Sequence, residues 1–186
     1  MRWDALFRDM EAQLAEEQRL ALESEISERA RVEMAGIALS DRLRASLGGD
    51  VGVLLSSGRR ISGVLAHVGS EWLVLNEAPH QWLVPYSAVV SYQGVGRRVV
   101  QDSGVRSRLG LASALRGLAR DRSDVSVHLL SQQETALAGV IDRVGKDHFD
   151  LAATTGDPRR RANVSSVVTV PFAAMTALRS LRGPEI

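Results

Sequence analysis

The sequence predicts an α+β protein that is mainly β: a long N-terminal helix followed by two tandem units, each a short helix plus five strands curled into a small barrel. Three observations support this fold class: one sequence pattern occurs twice, apolar residues alternate within each copy, and residues 4–32 contain neither Gly nor Pro. The expected organisation is a helical segment at 1–39, a first barrel unit at 40–96, a basic linker at 97–105, a second barrel unit at 106–180 and a tail at 181–186.

The N-terminal helix is predicted by composition. Ala, Leu, Glu, Gln and Arg dominate residues 4–32, and their summed helix propensity is high. An apolar stripe at the start of the helix offers anchors for a protein partner, formed by Trp3, Leu6, Phe7, Met10 and Leu14. A second stripe at Leu22 and Ile26 does not continue the first in heptad register. Two interpretations stay open: the helix packs on the protein's own barrels, or it docks on a partner or in a coiled-coil dimer.

The repeated pattern covers two whole modules. The stretch 51–75 returns as 125–151, and each copy closes on a similar segment, Leu83-Val84-Pro85-Tyr86 in the first and Thr169-Val170-Pro171-Phe172 in the second. The second copy is longer, which places its extra residues in loops, where insertions are tolerated. Two small units that support each other are therefore expected, since each alone would have a marginal core.

Each copy reads as a short helix followed by about five antiparallel strands. Helices are predicted at 41–47, behind the N-cap residue Ser40, and at 107–119. Alternating apolar residues mark the strands, and turns of the first copy fall at Ser57-Gly58, Gly69-Ser70 and Ala78-Pro79-His80. Five strands this short bury one face well only when they curl, which predicts a barrel.

Paired glycines occupy equivalent places in the two copies. Gly63 and Gly139 fall within strands, where the absence of a side chain lets the sheet bend or another backbone come close. Gly69 and Gly145 open the next turn, where a positive φ would cost little. Both pairs predict that the two copies bend at the same points.

Composition and spacing exclude several kinds of site. The chain has no cysteine, which excludes disulfides, zinc–thiolate sites and thiol catalysis. The four histidines lack metal-ligand spacing, and no glycine-rich phosphate loop or nucleophile elbow occurs. His148 beside Asp147 stands where Trp72 stands in the first copy, so it is interpreted as a turn or strand side chain. With no apolar run near the roughly 20 residues of a membrane span, we expect a cytoplasmic, non-enzymatic protein without metal or cofactor.

Basic charge lies between the two copies. Residues 97–122 hold seven arginines against two aspartates, although the net charge of the whole chain is only +1. Such a stretch suits the phosphates of a nucleic acid. The candidate contacts are Trp82, which we expect to be exposed in its turn, and the arginines Arg97, Arg98, Arg106, Arg108, Arg159, Arg160 and Arg161. The alternative interpretation is a set of solvated loops that keeps the protein soluble.

The strand segments of the first copy resemble the Sm-like fold, particularly its bacterial RNA-chaperone branch, Hfq. The resemblance lies in Ile61-Ser62-Gly63-Val64-Leu65, Trp72-Leu73-Val74-Leu75 and Tyr86-Ser87-Ala88-Val89-Val90, and the second copy matches more weakly at 137–141 and 172–175. It implies RNA binding and subunits that join edge to edge into rings. The chain departs from the family at the RNA site: Val84-Pro85-Tyr86 and Val170-Pro171-Phe172 stand where Hfq has Tyr-Lys-His. The Asp and Asn pair and the Arg-Gly dipeptide of eukaryotic Sm proteins are also absent.

Two functions of different classes follow from these patterns. The first is a non-catalytic Sm-like protein that binds RNA through its arginine-rich loops. The second is a protein scaffold or adaptor that uses the helical N-terminus and the barrel edges, without nucleic acid. In both cases we expect a homo-oligomer, because exposed strand edges pair with one another. Three chains would make a ring of six units, unless the two units of one chain close each other.

Overall fold

The computed structural model describes residues 2–100, 104, 108–131, 135–154 and 164–181, in two compact units, Met1–Ala38 and Leu39–Ile186. The first unit is one helix, α1, Arg2–Ala35. It covers the whole segment without Gly or Pro and ends next to Gly36, as helix propensity predicts. Exposed ion pairs one turn apart, from Arg19 to Glu16 and Glu23, support its middle.

In its described residues, the second unit contains two short α-helices and ten strands. The helices are α2, Leu39–Arg44, and α3, Leu111–Arg120. The strands of the first half are β1 Asp50–Leu55, β2 Arg60–Val68, β3 Trp72–Glu77, β4 His80–Pro85 and β5 Val89–Gln93. Those of the second half are β6 Asp124–Leu129, β7 Thr135–Val144, β8 His148–Thr154, β9 Val164–Pro171 and β10 Met175–Leu181. Single-turn 3-10 helices at Tyr86–Ala88 and Phe172–Ala174 lead into β5 and β10.

The prediction of two closed barrels is wrong. The ten strands form one open antiparallel sheet in the order β5-β1-β2-β3-β4-β10-β6-β7-β8-β9. To close the first half, β4 would have to pair with β5, but its second side pairs with β10 instead. Strand β10 in turn lies between β4 and β6, so the second half cannot close through it either. The alternation of apolar residues predicts strands, whereas the choice of the neighbour at an edge depends on the whole sheet.

The two halves nevertheless have the same internal order of strands, β5-β1-β2-β3-β4 and β10-β6-β7-β8-β9. Their registers correspond as well, because Val51 pairs with Gly63 in one half and Val125 with Gly139 in the other. The close backbone approach expected at these glycines is confirmed. A Cβ on Gly63 would lie 2.3 Å from the carbonyl oxygen of Asn76, and one on Gly139 would meet its neighbouring strand in the same way.

Neither Gly69 nor Gly145 uses the positive φ that glycine would tolerate. The glycines with positive φ among the described residues are Gly48, Gly58 and Gly94. At Gly69 an aromatic ring takes the place of a side chain, since an added Cβ would lie 2.3 Å from the Trp72 indole. At Gly145 the ring of the histidine three residues later does the same. Glycine is therefore required here by ring packing and not by backbone conformation.

Two hydrophobic clusters fill the second unit, and each takes residues from both halves. The first gathers β1–β4 around the fully buried Leu43 of α2 and includes Ala177 of β10. The second gathers β6–β10 under Leu111 and Leu115 of α3 and includes Leu83 of β4. Burying a leucine side chain stabilises a fold by about 1.5–3 kcal/mol. The junction of the two halves is therefore part of the core.

Candidate functional site

The junction between the halves shows how two such strand sets join. β4 and β10 run antiparallel, with Leu83 opposite Leu178, Trp82 opposite Arg179, Gln81 opposite Ser180 and His80 opposite Leu181. The pairing satisfies backbone groups that would otherwise be exposed along both strands.

Beside this strand pair, the turn between β2 and β3 holds the chain that enters α3. The carbonyl oxygen of Leu109 accepts hydrogen bonds from Ser70 N at 3.2 Å, Ser70 Oγ at 3.1 Å and Trp72 Nε1 at 2.8 Å. Glu71 Oε1 accepts from the backbone N–H of Leu111 at 2.7 Å, which satisfies an amide at the start of the helix. We call this element, Gly69–Trp72, the first docking turn. This turn joins the two halves through polar contacts, whereas β4 joins them by pairing with β10.

Trp82 is buried at this junction, with 3% of its surface exposed, so its expected exposure is wrong. Its Nε1 donates to Glu77 Oε2 at 2.6 Å. The guanidinium carbons of Arg59 and Arg179 lie 5.4 Å and 5.6 Å from the ring centre, within cation–π range. The β4–β10 pairing covers the indole, which therefore offers no free face for a nucleobase.

The predicted arginines fall into two groups. Arg97, Arg98 and Arg108 are exposed, and within the described part of the chain none of them forms an ion pair. The segment that carries the first two lies along α2, where Arg42 Nε donates to Gly96 O at 3.0 Å. The remaining four, Arg106, Arg159, Arg160 and Arg161, lie outside the described residues. The structure does not bring the described arginines together through any contact.

The other aromatic side chains of the second unit are buried or half-buried. Phe149 is fully buried, and the half-buried set is Trp72, Tyr86, Tyr92 and Phe172. Within the described residues of this unit, none of the aromatic side chains is exposed. Stacking of bases on aromatic side chains, the usual mode of single-strand recognition, lacks a platform there.

Two tyrosines of the first half have raised pKa values. Tyr86 donates its hydroxyl to Gly69 O at 3.0 Å, and burial raises its pKa, with Tyr92 adding to the shift and Arg44 opposing it. Burial also raises the pKa of Tyr92 to about 12, and its hydroxyl is buried without a hydrogen-bond partner. Tyr92 faces Val53 across the strands, as Leu178 faces Val127 in the second half.

Within the described part of the chain, the two outer strands, β5 and β9, each pair on one side only. Val90 on β5 is 66% exposed and Val167 on β9 is 60% exposed. By register, the counterpart of Val90 is Thr176 on β10, which is buried, and the counterpart of Val167 is Gln81 on β4, which is half-buried. The counterparts are covered because their strands pair at the junction.

A second docking turn, Gly145–His148, adjoins β9. It repeats the backbone bonds of the first turn: Gly145 N donates to His148 O at 2.8 Å, as Gly69 N does to Trp72 O at 2.8 Å. The His148 Nδ1 lies 2.9 Å from Asp147 Oδ1, and this hydrogen bond lowers the pKa of the Asp147 carboxyl. Both side chains are exposed. The turn therefore has the geometry of the first docking turn, and its side chains face solvent.

Two further surfaces carry apolar side chains. A cleft of about 260 Å³ lies between α3 and the β3–β4–β10 face, with Trp72, Leu83 and Leu118 among its walls. On α1, the predicted anchors Phe7, Met10 and Leu14 are all exposed, while the side chains of Trp3 and Leu6 lie outside the described ones. No cluster of acidic, histidine or cysteine residues in the described ranges could hold a metal ion. No described helix is long and apolar enough to cross a membrane.

Sequence reasoning predicted turns at Gly69 and Gly145 but missed the contact of the first docking turn with the chain entering α3. The signal was present, because Gly69 and Trp72 repeat as Gly145 and His148 with the same spacing. Such spacing by itself indicates only a turn, and the contact of the first turn with a segment about 40 residues away is not local.

Comparison of the chain with protein-family models and with curated proteins finds no match.

Proposed function

We propose that this protein is a non-catalytic scaffold whose copies join edge to edge, with β9 of one copy paired to β5 of the next. The observation that carries the proposal is the β4–β10 pairing within the chain. By register, β9 corresponds to β4 and β5 corresponds to β10. The free edges are therefore the unpaired equivalents of two strands that already pair with each other.

The exposure of the edge residues supports this assembly. Val90 and Val167 are large apolar side chains on open edges, and exposed apolar edge strands associate unless a charge or a proline protects them. The interface would join unlike surfaces, so it generates a ring if the rotation closes and a filament if it does not. The resemblance to Sm-like proteins agrees with this proposal, because their subunits join edge to edge into rings. The exposed apolar stripe of α1 would then be presented in several copies to a protein partner.

The edge proposal is tested by the mass of the assembly. Val167→Lys places a charge on the β9 edge, and Val90→Lys does the same on β5; both should shift the protein to monomer in native mass spectrometry and light scattering. Val64→Lys is the matched control, since Val64 is also exposed but lies on β2, an interior strand that pairs on both sides. A monomeric wild-type chain, or assembly unaffected by both edge variants, would contradict the proposal.

RNA binding is the second candidate, and it is favoured by the exposed arginines that form no ion pair within the described part of the chain. It would act through phosphate contacts alone in the described region, so binding should fall steeply with salt. Filter binding of single-stranded RNA at low and moderate salt, with Arg97→Ala and Arg98→Ala together, tests it. If the protein retains no RNA on the filter at low salt, RNA binding is rejected.

A further inference from the structure

Among the described residues, the second docking turn, Gly145–His148, makes no contact with a helix start like the one its equivalent makes. We propose that it docks on α2 of a second copy, with His148 binding backbone of that helix and the Leu39 side chain becoming buried. This inference rests on the edge-to-edge assembly proposed above and adds a second contact to it. The pairing of β9 with β5 would bring the turn to that helix as the β4–β10 pairing brings the first turn to α3.

The turns are equivalent by register and by hydrogen bonds. Trp72 pairs with Pro85 across β3 and β4, and His148 pairs with Pro171 across β8 and β9. The residue before the ring holds the following 3-10 helix in both halves: Glu71 O accepts from Tyr86 N at 2.9 Å, and Asp147 O accepts from Phe172 N at 2.8 Å. The two turns are therefore attached to their halves in the same way.

The ring at the end of each turn carries a nitrogen that can hydrogen-bond to backbone. Trp72 uses Nε1 to donate to the carbonyl of Leu109. In His148 the Nδ1–H donates to the Asp147 carboxylate, which leaves Nε2 to accept from a backbone N–H in the neutral ring, or to donate to a carbonyl when the ring is protonated. α3 also holds this turn, because Arg116 Nη2 donates to Gly145 O at 3.4 Å. Nε2 is thus the atom that would meet the backbone of the second copy.

Comparison of leucine exposure on α2 and α3 identifies the surface that would receive the second docking turn. Leu43 and Leu115 are the fully buried leucines of α2 and α3, and Leu39 and Leu111 precede them by one helical turn on the same face. Leu111, next to the first docking turn, is 4% exposed, whereas Leu39 is 40% exposed. The same position is covered where a docking turn reaches it and open where none does.

Cross-linking tests the contact directly, because the chain has no cysteine of its own. A chain with Asp147→Cys is mixed with a chain carrying Leu39→Cys and treated with a short bismaleimide. The expected result is a cross-linked dimer of the two chains, which Val167→Lys on the first chain abolishes. The matched control replaces the second chain with Leu47→Cys, whose leucine is also exposed beyond the end of α2. Equal yields with Leu39→Cys and Leu47→Cys would overturn the inference.

Affinity gives an independent readout. Leu39→Ala should weaken association by about tenfold, since it removes apolar area buried only in the assembly. His148→Ala should weaken it as well, and the double variant should lose less than the product of the two effects if both side chains serve one contact. If the edge variants abolish assembly while Leu39→Ala and His148→Ala leave its dissociation constant unchanged, the docking inference fails and the edge proposal stands. If the wild-type chain is monomeric, both the edge proposal and the docking inference fail.

Discussion

Leu83→Ala should destabilise both halves at once. Leu83 belongs to β4 of the first half, but it is buried in the cluster formed by α3 and the second half. The substitution removes three carbon atoms, which at about 0.8 kcal/mol for each buried CH₂ amounts to about 2.4 kcal/mol. The cavity left behind raises the expected loss toward the 2–5 kcal/mol range typical of buried leucines.

Urea unfolding followed by tryptophan fluorescence measures this loss, because Trp72 and Trp82 both lie at the junction. With a slope of about 2 kcal/mol per M, the midpoint should fall by about 1–2 M with an unchanged slope. The control Val64→Ala, at an exposed position of β2, should shift it much less. Two separate transitions, with only one shifted by Leu83→Ala, would refute the reasoning that the halves share one core.

Three further predictions concern single positions. Trp72→Phe should lower the free energy of unfolding by about 1 kcal/mol, because it removes the hydrogen bond to Leu109 O while keeping a ring over the glycine; urea unfolding measures it. Gly139→Ala should lower the melting temperature, since its Cβ would lie 2.2 Å from a carbonyl oxygen on β8, whereas Gly117→Ala on α3 has open space and should raise it. Tyr92→Phe should leave stability at neutral pH unchanged or higher, because it removes a buried hydroxyl without a partner. Burial raises the folded-state pKa of Tyr92 to about 12, above the roughly 10 of an unfolded tyrosine. The folded chain therefore holds the phenol proton more tightly than the unfolded chain, and the free energy of unfolding falls as pH rises from 10 to 12. Tyr92→Phe should lose less stability over that range in pH-dependent unfolding.

The elements that sequence reasoning predicted are those fixed by local patterns. The long helix follows from composition, and the five strands of each half follow from alternation and turn residues. The close approach at Gly63 was predictable because a glycine inside a strand pattern usually marks a bend or a close backbone contact. These features depend on neighbours in the sequence or on one adjacent strand.

The features that could not be predicted depend on distant segments. Strand β4 could pair with either β5 or β10, because both offer the same unpaired backbone N–H and C=O groups. The sequence pattern does not distinguish these two pairings, and the closed barrels assumed the one that does not form. The exposure of Trp82 was misjudged for the same reason, because β10 covers it. The role of the first docking turn depends on a helix start about 40 residues further along the chain, which no local pattern reports.

Because the proposed interface joins unlike edges, two variants that each block one edge should complement each other. A chain with Val90→Lys keeps an intact β9, and a chain with Val167→Lys keeps an intact β5. Each variant alone should remain monomeric, while an equal mixture should form a heterodimer and nothing larger, since the two charged edges end its growth. Native mass spectrometry with one chain isotopically labelled distinguishes the species. Homodimers of either variant alone would mean that like edges pair, and the head-to-tail arrangement would have to be abandoned.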